Sequence, residues 1–438
     1  MQKKHFHSTL KSWSGIIISV IVLTISSRTS AQNIDYARFL MDSLSAPGLH
    51  GRGYVNYGAH QAAEFLVREM ASNGIKPFTD SYSQTFGLNV NTFPGSMMVN
   101  IDGIRMEAGS EFIVSASSPS VNQVFDLLFT DEDFFKNEKK IRKLAGKDLK
   151  TTMLAFDRSA LEGEAANLAD SLLTYNFLGA GGFMLINSKN KLVWSVWPGE
   201  NQKKFPVIEI LEDALPRKPK NIALSIDAEY LTNHSVRNIT GYIPGAVSPD
   251  TFMVFTAHYD HLGRMGRETY FPGANDNASG VAMMLDLARH FSDTANQSPY
   301  SIAFIALAAE EMGLKGSEYF VENPWFPLAS IRFLINLDMV GTGSEGITVV
   351  NGTVYEEVFE KLVKINSDNN YISKVVKRGE SCNSDHCPFY QKGVPSIFIY
   401  SLGNEHREYH SIYDQSHRVP FTEYEDIFRL LRDFVLTY

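Results

Sequence analysis

Cysteine is nearly absent from this 438-residue sequence: it occurs only at Cys382 and Cys387, both in one short segment. That excludes a disulfide-stapled scaffold and a thiolate zinc cluster, each of which needs more cysteines at spaced positions. The pair leaves two readings open, a small-loop disulfide formed in an oxidising compartment or two buried thiols. Basic clusters are also missing, with Lys and Arg scattered through a chain of formal net charge −9. Such scatter excludes a nucleic-acid surface and a polybasic membrane patch. No internal repeat or low-complexity tract is present. Apolar residues make up 44 % and charged residues 20 %, the composition of an ordinary folded protein, here long enough for a large domain plus a smaller one.

The apolar run from Gly15 to Ile25 is too short for a membrane span, which needs about 20 residues. Lys3, Lys4 and Lys11 precede it, and Thr29-Ser30-Ala31-Gln32 follows. A basic start, a short apolar stretch and small residues before a cleavage point describe a secretory signal. Residues 1–31 are therefore expected to be a signal peptide. The mature chain would begin near Gln32, be exported to the periplasm or secreted, and keep no stable membrane span. No cysteine follows the run, so a lipoprotein anchor is not indicated.

Residues 33–44 and 58–73 read as helices, the second with Ala62, Phe65, Leu66 and Met70 on one face and Gly74 as its stop. A strand follows near Tyr82–Leu88. Between Pro94 and Pro219 the texture changes to short apolar runs broken by charged loops. Thr152–Phe156, Gly182–Ile186 and Pro206–Leu211 look like strands of a small β-rich module. From Val236 strands and helices alternate, which predicts an α/β fold with a mixed, mostly parallel central sheet flanked by helices. The expected strands are Thr251–Ala257, Ser301–Ala309, Ile331–Leu337 and Pro395–Ser401; the expected helices are Asp276–His290, Leu314–Val321, Val354–Ser367 and Tyr424–Leu436. Residues 32–93 and 236–438 would form one domain, with 94–235 as an insertion.

Titratable groups recur just beyond the carboxyl ends of these strands, the edge where open α/β sheets bind ligands. His258-Tyr259-Asp260 ends the first strand. In extended chain, positions two apart face the same way, so Asp260 is expected to hold the far nitrogen of a metal-binding His258. Asp276 lies in the glycine-rich Gly273–Gly280, where it reads either as a helix N-cap or as a carboxylate shared by two metals. Glu310 and Glu311 follow the apolar run Ile302–Ala309, and their adjacent side chains diverge, so one can ligate metal while the other faces substrate. Asp338 sits inside Phe333-Leu334-Ile335-Asn336-Leu337-Asp338-Met339-Val340, and a buried aspartate needs a partner that a metal would supply. His410 joins the set through Glu408-Tyr409-His410-Ser411; the other histidines, among them His290 and His406, read as surface or packing residues. The negative charges of Asp276, Glu311 and Asp338, with a hydroxide, balance two divalent ions and leave Glu310 free as a base. Mixed imidazole and carboxylate ligands suit zinc.

Several segments resemble peptidase family M28, the dizinc exopeptidases that include secreted aminopeptidases and glutamate carboxypeptidase. They are Thr256-Ala257-His258-Tyr259-Asp260-His261-Leu262-Gly263, Gly273–Gly280, Glu310-Glu311-Met312-Gly313-Leu314-Lys315-Gly316-Ser317, Asn336-Leu337-Asp338-Met339-Val340-Gly341 and Tyr409-His410. Leu49-His50-Gly51-Arg52 and Asn238–Gly245 look similar to family segments as well. The resemblance implies a zinc exopeptidase fold acting on peptides, with two zinc ions per chain. One would be held by His258 and Asp338, the other by Glu311 and His410, with Asp276 bridging, Asp260 orienting His258 and Glu310 as general base. The segment around Gly179–Ile186 resembles a protease-associated domain, and Ser384-Asp385-His386 another family segment. His386 would then either reach the substrate or be structural. An aminopeptidase is the family's commonest activity. A carboxypeptidase would need a cation such as Arg264, Arg267 or Arg378 near the site. A glutaminyl cyclase would use one zinc, and a receptor-like binding protein of this fold would show eroded ligands.

Overall fold

The apolar strands Ser248–His258, Tyr300–Leu307, Ile331–Leu337 and Ser396–Leu402 are buried over most of their length, as expected where both faces of a sheet are covered. In the computed structural model, which describes residues 32–189 and 191–438, these four lie side by side and parallel at the centre of a nine-stranded sheet. The flanks run the other way. Glu229–Ile243 pairs antiparallel with Tyr300–Leu307 on one side, and Gly346–Val350 antiparallel with Ser396–Leu402 on the other. The sheet is thus mixed, with its parallel run at the centre. The expectation for residues 1–31 lies outside the described residues. No helix among the described residues is long and apolar enough to cross a membrane.

Helices Ile34–Leu44 and Gly58–Ser72 bury their apolar stripes in the core that covers this sheet. Gly280–Ser292 is the most buried helix, with Val281, Met284, Leu285 and Ala288 inaccessible. It starts at Gly280 rather than at Asp276, because Ala274–Ser279 forms an irregular turn in which Asp276 and Asn277 leave helical geometry. Asp276 consequently makes no capping hydrogen bond.

The region read as a β-rich module holds an eight-stranded sheet, including Thr152–Phe156, Gly182–Asn187 and Val207–Leu211. It also holds helices Glu132–Lys136, Glu138–Ala145 and Gly163–Tyr175, which the sequence pattern did not suggest. The last buries Ala165, Ala166, Ala169 and Leu172, a face of small residues with little apolar contrast. Strand Glu229–Ile243 crosses the boundary expected at residue 235, and from Glu229 to Ile239 it pairs with Ser83–Thr92 of the large sheet.

Asp286, on the buried helix, is 2 % exposed, and among the described residues its Oδ2 has no hydrogen-bond partner. Burial raises its carboxyl to about 7, above the roughly 3.9 of an unfolded chain. The folded state therefore binds the extra proton between those values, and stability falls as pH rises through that window. Asp286→Asn removes this dependence: urea melts should show the variant gaining on wild type from about pH 4 to about pH 7. A gap that stays constant over this range would contradict the assignment.

Candidate metal centre

Strand register brings the candidate ligands to one level. His258 pairs with Leu307 and Thr256 with Asn336, so three neighbouring parallel strands end together. His258 is the last residue of its strand, Asp338 directly follows Leu337, and Glu310 and Glu311 follow Leu307 after a short turn. Asp276 reaches the same edge from the turn before helix Gly280–Ser292, and His410 from the loop after Ser396–Leu402. Ala309, Met339 and His410 have φ of +58°, +59° and +52°, left-handed values that non-glycine residues adopt at an energetic cost.

The carboxylate of Asp276 divides between two groups. Its Oδ1 lies 3.4 Å from His258 Nε2, which is also 3.4 Å from Asp338 Oδ1. Its Oδ2 lies 3.2 Å from His410 Nε2, which is also 3.2 Å from Glu311 Oε2. Ligand atoms about 2.0–2.1 Å from a tetrahedral zinc stand about 3.3–3.4 Å apart, so both groups have the edge lengths of a zinc tetrahedron. Asp338 Oδ1 is buried with no hydrogen-bond partner, as a carboxylate oxygen reserved for a metal would be. The residues therefore fit two metal ions, with Asp276 common to both.

A second layer of contacts fixes these groups. The fully buried guanidinium of Arg52 donates to the carbonyls of Tyr259, Leu44, Pro272 and Gly273 at 2.7–2.9 Å, tying the His258 strand end to the Asp276 turn. Asp414 accepts the main-chain N–H groups of Asn275 and Asp276 at 2.9 and 3.0 Å, and His406 Nε2 lies 2.8 Å from it. His406 thus belongs to this network rather than to the surface. His261 Nδ1 holds Glu311 Oε1 at 2.8 Å, leaving Oε2 to face His410. Asp338 Oδ2 accepts from Ser384 Oγ at 2.9 Å; Ser384 is held by Asn336, and Asn336 by Thr256. Arg52, His261 and Ser384 stand inside the motifs quoted above, but nothing in their spacing marks these partners.

Asp260 departs from the expected geometry. His258 Nδ1 is 3.2 Å from the main-chain oxygen of Asp260 and 3.8 Å from its carboxylate. The strand ends at His258, so the two-residue alternation does not carry on to Asp260. Its carboxylate instead accepts the N–H of Glu310 at 3.1 Å and is approached by Tyr54 Oη at 3.5 Å. His386 is fully buried, with Nε2 2.8 Å from the Ser381 carbonyl and its ring packed on Phe398, the structural of its two readings. Cys382 and Cys387 form a disulfide around the segment that carries Ser384.

Electrostatics separates the carboxyl groups. Burial raises Glu310 well above the carboxylate range, and the charges of Asp385, Glu311 and Asp338 add to this against the opposing pull of His258. Burial acts the same way on Glu311, but His410 and the hydrogen bond from His261 outweigh it and hold Glu311 down to about 2. Asp276 is likewise held low against burial by His258 and His410. Burial and neighbouring charges thus push the two adjacent glutamates in opposite directions, the separation expected where one carboxylate binds metal and the other handles protons.

Comparison with known proteins agrees with this geometry. The model of Peptidase family M28 matches residues 238–435, which carry every candidate ligand. This part of the chain belongs to peptidase family M28. Aminopeptidase YwaD of Bacillus subtilis (strain 168) is 31 % identical over 232 residues, 50 % of this chain and 47 % of that protein. Leupeptin-inactivating enzyme 1 of Streptomyces exfoliatus is 30 % identical over 166 residues, 37 % of this chain and 35 % of that protein. The chain spans about half or less of the length of these relatives. The likeness in fold extends beyond the matched segment. A zinc aminopeptidase from Bacillus subtilis superposes with TM-score 0.67 at 21 % identity over 92 % of this chain and 94 % of that one. An aminopeptidase from Aneurinibacillus sp. strain AM-1 does so with TM-score 0.63 at 20 % identity over 93 % and 94 %.

Ser384→Ala removes the one hydrogen bond that turns Asp338 Oδ2 away from the candidate site. Zinc affinity should fall about 10–100-fold, measured by competition with a zinc indicator. Unchanged affinity would show that Asp338 needs no such support.

Proposed function

We propose that this protein is an exported dizinc metallo-exopeptidase, an aminopeptidase that hydrolyses N-terminal residues from peptides. The observation that carries this reading is Asp276, whose two oxygens each face a separate histidine–carboxylate pair at tetrahedral-edge distances. The names of the relatives, among them an aminopeptidase and a zinc aminopeptidase, support the reaction class. The Cys382–Cys387 disulfide supports an oxidising compartment, in line with the signal expected in residues 1–31. The two-sided Asp276 favours two ions over the single zinc of a glutaminyl cyclase. A terminal-carboxylate grip, as a carboxypeptidase needs, finds Arg264 engaged with His50, with the Arg267 carbonyl and with the Tyr270 ring.

His258, Asp338 and Asp276 would hold one zinc ion, and Glu311, His410 and Asp276 the other. Such a pair would supply Lewis acidity to the scissile carbonyl and lower the pKa of the attacking water. Glu310 would take the proton of the attacking water and pass it to the leaving amine. The Asp260 carboxylate holds the Glu310 main chain, and its carbonyl fixes the His258 tautomer so that Nε2 faces the ligands. Residues 94–235 would be a protease-associated-like insertion.

The test is hydrolysis of a free-amine dipeptide beside its N-acetylated twin, with and without chelator. Cleavage of the free-amine peptide alone, lost with chelator, is the expected result. Cleavage of the blocked peptide would instead indicate a carboxypeptidase. Glu310→Gln should keep its zinc and lose about 10²–10⁴-fold in kcat; full activity, or loss of the metal, would remove Glu310 from the role of base.

A further inference from the structure

His410 is held from a distant part of the chain. Its Nδ1 lies 2.9 Å from the main-chain oxygen of Trp194, 216 residues earlier. The Trp194 N–H in turn donates to the His410 carbonyl at 3.1 Å. The two residues therefore share a reciprocal pair of hydrogen bonds, one to the ring and one to the backbone. The first requires a proton on Nδ1 and turns Nε2 toward Asp276 and Glu311, each 3.2 Å away. The second restrains a residue whose φ of +52° persists only where its surroundings over-determine it.

Trp194 is itself anchored firmly. It lies in an extended segment in which Leu192, Trp194 and Val196 are buried while Lys191, Val193 and Ser195 are exposed. Its indole N–H donates to the Val114 carbonyl at 2.7 Å, and its ring stacks on Phe271 at 4.6 Å. Phe271 stands two residues before Gly273 and the Asp276 turn. Lys191 Nζ donates to the Arg407 carbonyl at 2.7 Å, close to His410 along the chain. The indole thus ties the segment that holds one candidate ligand to the turn that carries another.

We infer that Trp194 is a positioning residue for the second metal, so that the region read as an insertion completes the support of His410 instead of merely flanking the site. This deepens the two-metal reading and rests on it. The support acts through main-chain atoms, and the indole sets where those atoms lie. Removing the indole frees the segment, lets the His410 ring rotate, and lowers affinity at the Glu311–His410 group, whereas the His258–Asp338 group keeps its own contacts.

The experiment is zinc titration of metal-stripped full-length protein at buffered free zinc, comparing wild type with Trp194→Ala and His410→Ala, beside melting of each metal-free protein. Wild type should bind two zinc ions; W194A should retain one tightly and bind the other about 10–100-fold more weakly, the same ion that H410A loses more completely. Equal affinities for both ions in W194A and wild type would overturn the inference. So would equal losses at both steps with a lowered metal-free Tm, the mark of a merely structural tryptophan. A wild type that binds no zinc would overturn the metal reading itself, and this inference with it. If W194A does not fold, Trp194→Phe keeps the ring stack and loses the Val114 bond. It should weaken only the second step, and an unchanged second step overturns the inference.

Discussion

The division of Asp276 between two histidines sets the requirements that the surrounding structure meets. A carboxylate can serve two centres only if each oxygen meets its own partners at matched distances, and here the spacings are 3.4 Å on one side and 3.2 Å on the other. A turn that departs from helical geometry at Asp276 and Asn277 provides the placement. Arg52 and Asp414 then secure that turn from opposite chemical directions, the guanidinium through its carbonyls and the carboxylate through its N–H groups.

The same arrangement crowds acids together. Asp260, Asp276, Asp338 and Asp385 are all buried, and Glu311 has a side chain only 5 % exposed. Burial raises Asp260 to about 7 and Asp385 to about 6, which reflects the cost of keeping charge out of water. The Arg52 guanidinium offsets part of this, at the expense of its own ionisation, which burial lowers to about 10. Two divalent cations would offset most of the remainder. Metal binding and the rigidity of the strand ends are therefore one problem in this fold, which is why the supporting contacts go to main-chain atoms as well as to side chains.

The central strands were legible because a strand buried on both faces is a continuous apolar run, and an acid at its end, such as Asp338, then stands out. The edge of the sheet at which the site lies followed from the same pattern. His410 had no comparable local signal and gained weight only as one more group beside the other candidates. The helices at 138–145 and 163–175 escaped notice because one is largely charged and the other presents an alanine face. Arg52 donates to a carbonyl more than 200 residues away in sequence, and the Trp194 carbonyl meets the His410 ring across a similar gap; such contacts leave no spacing to read. Asp260 lies past the end of its strand at His258, where two-residue alternation no longer holds.

The most direct measurement is anomalous diffraction at the zinc edge from crystals grown with zinc. Two peaks about 3.5–4 Å apart, one beside His258 and Asp338 and the other beside Glu311 and His410 with Asp276 between them, are the predicted result. A single peak, or two peaks that do not share Asp276, would contradict the account.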